Sequence, residues 1–343
     1  MRYTITDIAK LANVSKATVS RVINNKTEGV SQETSERIRA IIEEVGYRPN
    51  TLARSVAVQE SMTLGLIIPD IANPFFPELV RGIEDYAEAC GYTVFLCNSD
   101  NDPVKEEKYL MTFIDRRVDG IILASANSSS DVLARLSRYN VPFVLVDRPL
   151  SNVTQYAGVY ADNYQGFYMS TEYFIKQGNK RIAFLGGPRT VVATRERFSG
   201  YRDAHRDANL HLDGALIKYD DFSIAGGERM MRELVDSRTE FEAVVAGSDL
   251  TAIGAMRTLH RHGIEVPNQC EVIDFDGIQL GDLMEPALST VAQPIYEIGS
   301  SATRLLIEKL QGKLSTPRRL IFDPTLELKG TTKGDQPPIS TRW

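Results

Sequence analysis

Three residues in the stretch "VSKATVSRVINNK", which begins at Val14, have the chemistry to read a nucleic acid. Arg21 carries a fork of donors that matches guanine O6 and N7, and Lys16 adds a point charge. Ala17 offers only a methyl, suited to a thymine methyl or to close approach. Thr18, Ser20, Asn24 and Ser31 carry short polar groups that suit phosphate oxygens, contacts that fix register without reading sequence. A second set lies at the ends of apolar runs further along: Asp70, Asn73, Phe75, Phe76, Ser125, Asp147, Arg148, Asp162, Arg195, Arg197, Ser248, Asp249, Asp276 and Gln293. Carboxylates and amides satisfy hydroxyls, and an aromatic face covers C–H groups, so this set fits a sugar or sugar derivative. Taken singly, an Asp or Ser at such a position serves equally well as the cap of the next helix.

The first set must be carried by helices. Ile5, Ile8, Ala9 and Ala12 fall at i, i+3, i+4, i+7 with Thr6 able to cap the start. Ser15 can cap a second helix whose Val19, Val22 and Ile23 share one face, which turns Ala17, Ser20, Arg21 and Asn24 outward. A third helix follows Ser31, with Ile38, Ile41, Ile42 and Val45 at the same spacing and Gly46 at its end. Two short helices joined by a tight turn, with a third closing the core, form a helix-turn-helix pattern. A plain three-helix bundle with solvated faces fits the same spacing.

The second set requires strands. From Met62 the pattern alternates between helical stretches and runs such as "TLGLIIP", "TVFLCNS", "GIILAS", "FVLVD", "RIAFLGG", "AVVAGSD" and "EVIDFDG", read as strands buried on both faces. Helices are expected over 76–90, 103–116 and 131–139. This is an α/β architecture, two doubly wound parallel halves in which ligands collect beyond the carboxyl ends of strands.

Composition sets the outer limits. The chain has 343 residues and a formal charge of −6, enough for two or three domains. The first sixty residues are roughly +2, so the acidity belongs to the body and the basic patch is local. No apolar run reaches the ~20 residues of a membrane span and no secretory signal is evident, so a cytoplasmic protein without a membrane partner is expected. Cys90, Cys97 and Cys270 lack C-x-x-C spacing and read as reduced, mostly buried thiols; His260 and His262 do not share a helix face, which disfavours a metal site. No cofactor is implied. Neither G-x-x-x-x-G-K-[ST] nor a G-x-G-x-x-G after the first strand is present, which disfavours a nucleotide-using enzyme.

"TITDIAKLANVSKATVSRVINN" closely resembles the DNA-binding headpiece of the LacI/GalR family of transcriptional regulators. "IPDIANPFF", "VDGIILAS", "VLVDRP", "RERFSGY", "AGSDLTAIGAM" and "IDFDG" look like landmarks of its core, which has the type I periplasmic-binding-protein fold. The resemblance implies a repressor of carbohydrate uptake or catabolism genes that binds pseudo-palindromic operator DNA as a homodimer under control of a small carbohydrate effector. It implies base contacts at Lys16, Ala17 and Arg21, and a hinge helix that reaches the minor groove through Asn50, Leu52, Ala53 and Val56. Effector contacts are implied at Phe75, Phe76, Asp147, Arg148, Arg197, Ser248, Asp276 and Gln293, with Asp162 and Arg195 close by and Asp249 capping its helix. Domain limits follow: a headpiece over 1–48, a hinge over 49–61, and a core over 62–331. The core is expected to divide into subdomains of 62–161 with 293–322 and 162–292 with 323–331. The end, 332–343, lacks leucine heptads and is expected to be disordered.

Two positions depart from the family pattern. Val56 stands where a leucine wedge is usual, and Asp274 where glycine is usual, a carboxylate that must find partners or cost stability. Arg148, Arg195 and Arg197 tilt the effector toward an acidic or phosphorylated sugar.

Overall fold

The computed structural model describes residues 3–26, 28–47, 61–124, 133, 136–149, 155–314 and 316–334. Asn50, Leu52, Ala53, Val56 and Ser125 lie outside the described residues, as does most of the tail. Two compact units are present, Met1–Ser61 and Met62–Trp343.

The first unit holds α1 (Ile5–Leu11), α2 (Lys16–Ile23) and α3 (Gln32–Glu44). Thr4, not Thr6, caps α1: its hydroxyl faces the Asp7 amide while the Asp7 carboxylate accepts from the Thr4 amide, 2.9 Å away. The reciprocal pair satisfies two otherwise orphaned donors, which a cap at Thr6 would leave to water. Ser15 and Ser31 cap α2 and α3, and Gly46 follows α3 with φ of 61°. Ile8, Ala9, Ala12, Val19, Val22 and Ile38 form the buried core, the faces set by helical spacing.

Among its described residues the second unit contains two six-stranded sheets of matching order. The first runs β11-β5-β4-β3-β1-β2, built from β1 (Thr63–Ile68), β2 (Thr93–Asn98), β3 (Gly120–Leu123), β4 (Phe143–Val146), β5 (Gly158–Ala161) and β11 (Arg319–Phe322). The second runs β12-β10-β9-β8-β6-β7, from β6 (Ile182–Gly186), β7 (Ile217–Tyr219), β8 (Ala243–Ala246), β9 (Glu271–Asp276), β10 (Ser289–Ala292) and β12 (Thr325–Glu327). Among the described residues all pairings are parallel except β10 with β12. Parallel order demands crossover helices, and these cover both faces. They are α4 (Phe75–Ala89), α5 (Pro103–Asp115), α6 (Asn163–Lys176), α7 (Val192–Asp207), α8 (Ile224–Asp236), α9 (Asp249–Arg261) and α11 (Ile295–Leu310), with a single turn, α10 (Gln279–Asp282), between β9 and β10. Among the described residues no helix is long and apolar enough to cross a membrane.

The β2 run is not buried on both faces. It is the edge strand of its sheet, and Phe95 and Leu96 are 46% and 40% exposed. Nor are the thiols mostly buried: Cys270 is, Cys97 is half-buried and Cys90 is exposed.

The chain crosses between the two lobes three times: from β5 into α6, from β10 into α11, and from β11 into β12. Glycines seat helices closely within each lobe. A Cβ on Gly82 would lie 2.2 Å from the Tyr296 carbonyl, and one on Gly254 2.0 Å from that of Ile224. At these distances α4 packs on α11 and α8 on α9 nearly backbone to backbone, so each lobe has little room to deform.

Candidate functional site

In the headpiece, α2 presents Lys16, Ala17 and Arg21 to solvent while Val19 and Val22 point into the core. Exposure of the first turn and of Arg21 on one side is the geometry a helix needs to enter a groove end-on. The residues expected at phosphates are partly engaged already. The Ser15 and Thr18 hydroxyls lie 2.9 Å apart, Ser31 donates to Thr34 at 2.8 Å, and the Asn24 amide donates to the Ser20 carbonyl at 2.8 Å. These bonds hold helix ends in place, so any phosphate contact there falls partly to backbone N–H groups at the helix N-termini.

In the core, Asn73, Phe75, Phe76, Asp147, Arg148, Val191, Ala193, Arg197, Phe222, Ser248 and Asp276 line one cleft. The cleft lies beyond the carboxyl ends of β1, β4, β8 and β9, where a doubly wound sheet leaves room between diverging crossovers. Phe75 and Phe76 enter from the first turn of α4, edge to face at 5.0 Å, and the Asn73 side chain accepts from the Phe75 amide at 3.1 Å.

Two arginine–aspartate pairs dominate the electrostatics. The Arg148 Nε lies 3.5 Å from Asp147, and its guanidinium also donates to Asn101 at 3.0 Å. Arg197 donates to Asn163 at 2.8 Å and to the Gly247 carbonyl, and approaches Asp276 at 3.7 Å. Gln293 stands behind Asp276 and donates to its carboxylate at 2.7 Å. Phe222 joins the pairs: the guanidinium of Arg148 sits 5.8 Å and that of Arg197 5.7 Å from its ring centre. Burial pushes the Asp147 and Asp276 carboxyls up, against the pull of the arginines, and pushes Arg148 down. Hydroxyl donors reaching these carboxylates would relieve that penalty by hydrogen-bonding the charged form.

Asp147 and Asp276 both sit on left-handed backbone, with φ of 65° and 115°. Such conformations cost of order 1–3 kcal/mol in a non-glycine residue and gather at ligand clamps.

Not every expected site residue reaches the cleft. Asp162 caps α6 by accepting from the Gln165 amide at 2.8 Å, and Arg195, exposed, donates to the Arg189 and Thr190 carbonyls. Neither lines the cavity, and Gln293 acts from behind Asp276. Asp249 does not cap its helix. Ser248 is the cap, accepting from the Thr251 amide at 3.3 Å, while Asp249 turns inward to accept from the Gly277 and Ile278 amides. The difference follows from backbone geometry: Ser248 has the extended φ/ψ of a cap, and Asp249 is the first helical residue. Phe222, Val191 and Ala193 line the cleft and were not anticipated. Phe222 follows the three-residue β7, too short to register as an apolar run.

Comparison with known proteins is consistent with these two units. Residues 61–329 match the family described as "Periplasmic binding proteins and sugar binding domain of LacI family", and residues 4–50 match "Bacterial regulatory proteins, lacI family". The chain is 38% identical to the ribose operon repressor of Halalkalibacterium halodurans, across 97% of this chain and 98% of that one. Among solved structures it is similar to a transcriptional regulator CelR–cellobiose complex, with TM-score 0.75, 31% identity and coverage of 96% and 100%. It is also similar to a LacI family transcriptional regulator from Enterococcus faecium with bound ribose, with TM-score 0.72, 28% identity and coverage of 79% and 98%. With both units matched and a relative of this identity aligned over nearly its whole length, the chain belongs to the LacI family of bacterial regulatory proteins.

Proposed function

We propose that the protein represses carbohydrate uptake or catabolism genes and that a neutral monosaccharide of pentose size, held between its lobes, sets its operator affinity. The observation that carries the choice of effector is the charge balance of the cleft. Each buried guanidinium has its own carboxylate, Arg148 with Asp147 and Arg197 with Asp276, and Arg195 is directed elsewhere. A phosphate or sugar acid would meet two carboxylates already satisfying those arginines, whereas hydroxyls both donate to the carboxylates and accept from the guanidinium forks. The tilt toward an acidic sugar drawn from counting arginines is therefore set aside. Ribose, named for two similar proteins, supports the choice of a pentose.

A thermal-shift screen of D-ribose, ribose 5-phosphate and cellobiose tests the effector. At a hundred times its Kd a ligand adds about 2.7 kcal/mol to native-state stability. D-Ribose is expected to raise Tm and ribose 5-phosphate to leave it unchanged; the reverse order would sink the neutral-sugar reading. Operator binding with and without the sugar then gives the sign of regulation.

DNA reading is assigned to Lys16, Ala17 and Arg21, with Thr18, Ser20, Asn24 and Ser31 at the backbone and Asn50, Leu52, Ala53 and Val56 at the minor groove. Arg21→Ala is expected to cost roughly 1–3 kcal/mol on the preferred operator and little on random DNA, measured by fluorescence anisotropy. Equal losses on both would contradict base reading.

A homodimer is part of this reading, since two headpieces are needed for a pseudo-palindrome. The exposed Phe95 and Leu96 on the β2 edge support a partner at that edge. The double substitution Phe95→Glu, Leu96→Glu is expected to shift sedimentation from dimer to monomer; an unchanged sedimentation coefficient would remove β2 from the interface.

A further inference from the structure

Asn163, the first residue of α6, is 3% exposed and stands behind Arg197 rather than in the lining of the cleft. Its side chain makes three hydrogen bonds. Oδ1 accepts from Arg197 Nε at 2.8 Å, and Nδ2 donates to Glu196 Oε2 at 3.1 Å and to the Ala161 carbonyl at 3.4 Å. A guanidinium only donates, while a carboxylate and a carbonyl only accept, so these partners fix which way the amide points. Aspartate here would accept without donating, and serine would fall short of Arg197.

The bond to Arg197 shapes the site. Gly247 and Asp276 meet the terminal nitrogens of that guanidinium, Phe275 covers one face with its ring centre 4.1 Å away, and Asn163 holds the remaining nitrogen. A planar fork engaged at all three nitrogens has one orientation to offer a hydroxyl. The place of Asn163 against α7 is itself fixed. A Cβ on Gly200 would lie 2.2 Å from the Tyr164 carbonyl, so α6 and α7 meet backbone to backbone one residue further on.

The bond to Ala161 spans a crossing between the lobes. Ala161 ends β5 in the first lobe, and Asn163 begins α6 in the second. Asp162, between them, has φ of −78° and ψ of 87°, between the helical and extended regions. Residues at the ends of elements absorb the torsion changes of a hinge. A contact at 3.4 Å is long for an N–H···O bond, so a change of ψ at Asp162 makes or breaks it while the shorter bonds to α7 persist. Two lobe angles then differ in what Asn163 can reach, as a coupled site requires.

We propose that Asn163 is a positioning residue: it fixes the guanidinium plane of Arg197 in the cleft, and through its bond to Ala161 it couples that guanidinium to the angle between the lobes. The coupling rests on the reading of the cleft given above; the positioning does not.

Nitrogen-15 spectra of the arginine Nε–H groups in the full, sugar-free chain test the positioning, with the Arg197 signal identified by its loss in Arg197→Lys. Hydrogen exchange at Arg197 Nε is expected to quicken roughly tenfold in Asn163→Ala, which removes the acceptor, and to be no faster than in the parent in Asn163→Asp, which keeps it. Parent-like exchange in Asn163→Ala would overturn the positioning. So would an equal quickening at Arg148 Nε, which marks a general loosening of the core. Should Asn163→Ala fold poorly, Asn163→Ser is expected to give the same tenfold rise; parent-like exchange in it overturns the assignment.

Operator titration by fluorescence anisotropy tests the coupling. The quantity read is the factor by which saturating D-ribose changes operator Kd, each protein being saturated according to its own calorimetric Kd for the sugar. A factor of roughly 5 to 150 in the parent is expected to fall below about twofold in Asn163→Asp, which keeps the bond to Arg197 and loses both donations. Calorimetry should still record D-ribose binding to that variant. A factor equal to the parent's overturns the coupling. Glu196→Ala removes one acceptor and leaves the Ala161 carbonyl, so it is expected to keep the parent's factor; a loss in it overturns the part given to Ala161. Absence of D-ribose binding in the parent would overturn the choice of effector, while the exchange data still decide the positioning.

Discussion

Replacing Arg197 with alanine is expected to abolish the D-ribose-induced rise in Tm and to cost about 3–5 kcal/mol of stability. The residue is 6% exposed, and its guanidinium bridges α6, the end of β8 and the end of β9 through Asn163, Gly247 and Asp276. It also stacks 4.1 Å from the ring centre of Phe275. Removal leaves the Asp276 carboxylate buried without its cation, a larger loss than the pair itself contributes. Arg197→Lys separates the two effects: it keeps a charge near Asp276 but loses the planar fork that reaches three partners. Lysine is therefore expected to restore most of the stability and little of the sugar response, read by chemical denaturation and calorimetry. Headpiece contacts to operator should survive in both variants. A parent-like D-ribose response in Arg197→Ala would remove this residue from the site.

Asp274→Ala is expected to stabilise the core at pH 8 by an amount on the order of 3 kcal/mol, and to change it little at pH 4. The sign follows from linkage. In the unfolded chain the carboxyl ionises near its ordinary value of 3.8, whereas in the folded protein it holds its proton up to about 7. Between those values the unfolded state releases a proton that the folded state keeps, so parental stability falls as pH rises through this window and then levels off. Alanine takes no part in the titration. Its advantage should thus grow from about pH 4 to about pH 7, visible in urea midpoints measured at fixed salt. Parallel stability curves for parent and variant across that range would contradict the buried position of the acid.

Most of the architecture was legible because long, two-sided burial leaves a continuous apolar run, as in "TLGLIIP" and "FVLVD". Caps were legible for a local reason, since Ser15 and Ser31 each precede a helical face by one residue. Thr6 was misread in favour of Thr4 because two threonines flank Ile5, and only the carboxylate of Asp7 three residues on distinguishes them. What could not be read depends on approach in space. Phe222 reaches the cleft from the end of a strand three residues long, and Val191 and Ala193 from the start of α7. The directions of Asp162 and Arg195 were equally hidden, because a strand-end Asp and a first-turn Arg look alike whether they face a ligand or their own backbone. Pairing each arginine with a carboxylate, which decided the effector class, likewise required coordinates.

The three crossings between the lobes also determine how many ways the core can move. They lie side by side: Phe322 pairs with Ala161 at the end of β5, and Thr325 pairs with Ala292 at the end of β10. Two rigid bodies joined by one strand can twist, shear and swing independently. Three adjacent strands permit rotation about the line through them and resist the rest. Lobe closure is then chiefly a rotation, which a distance across the cleft follows. Gln293 sits in the β10-to-α11 crossing and grips Asp276, so a sugar at that carboxylate acts directly beside one of the three crossings. Whatever the effector is, what the core can report of it is one angle.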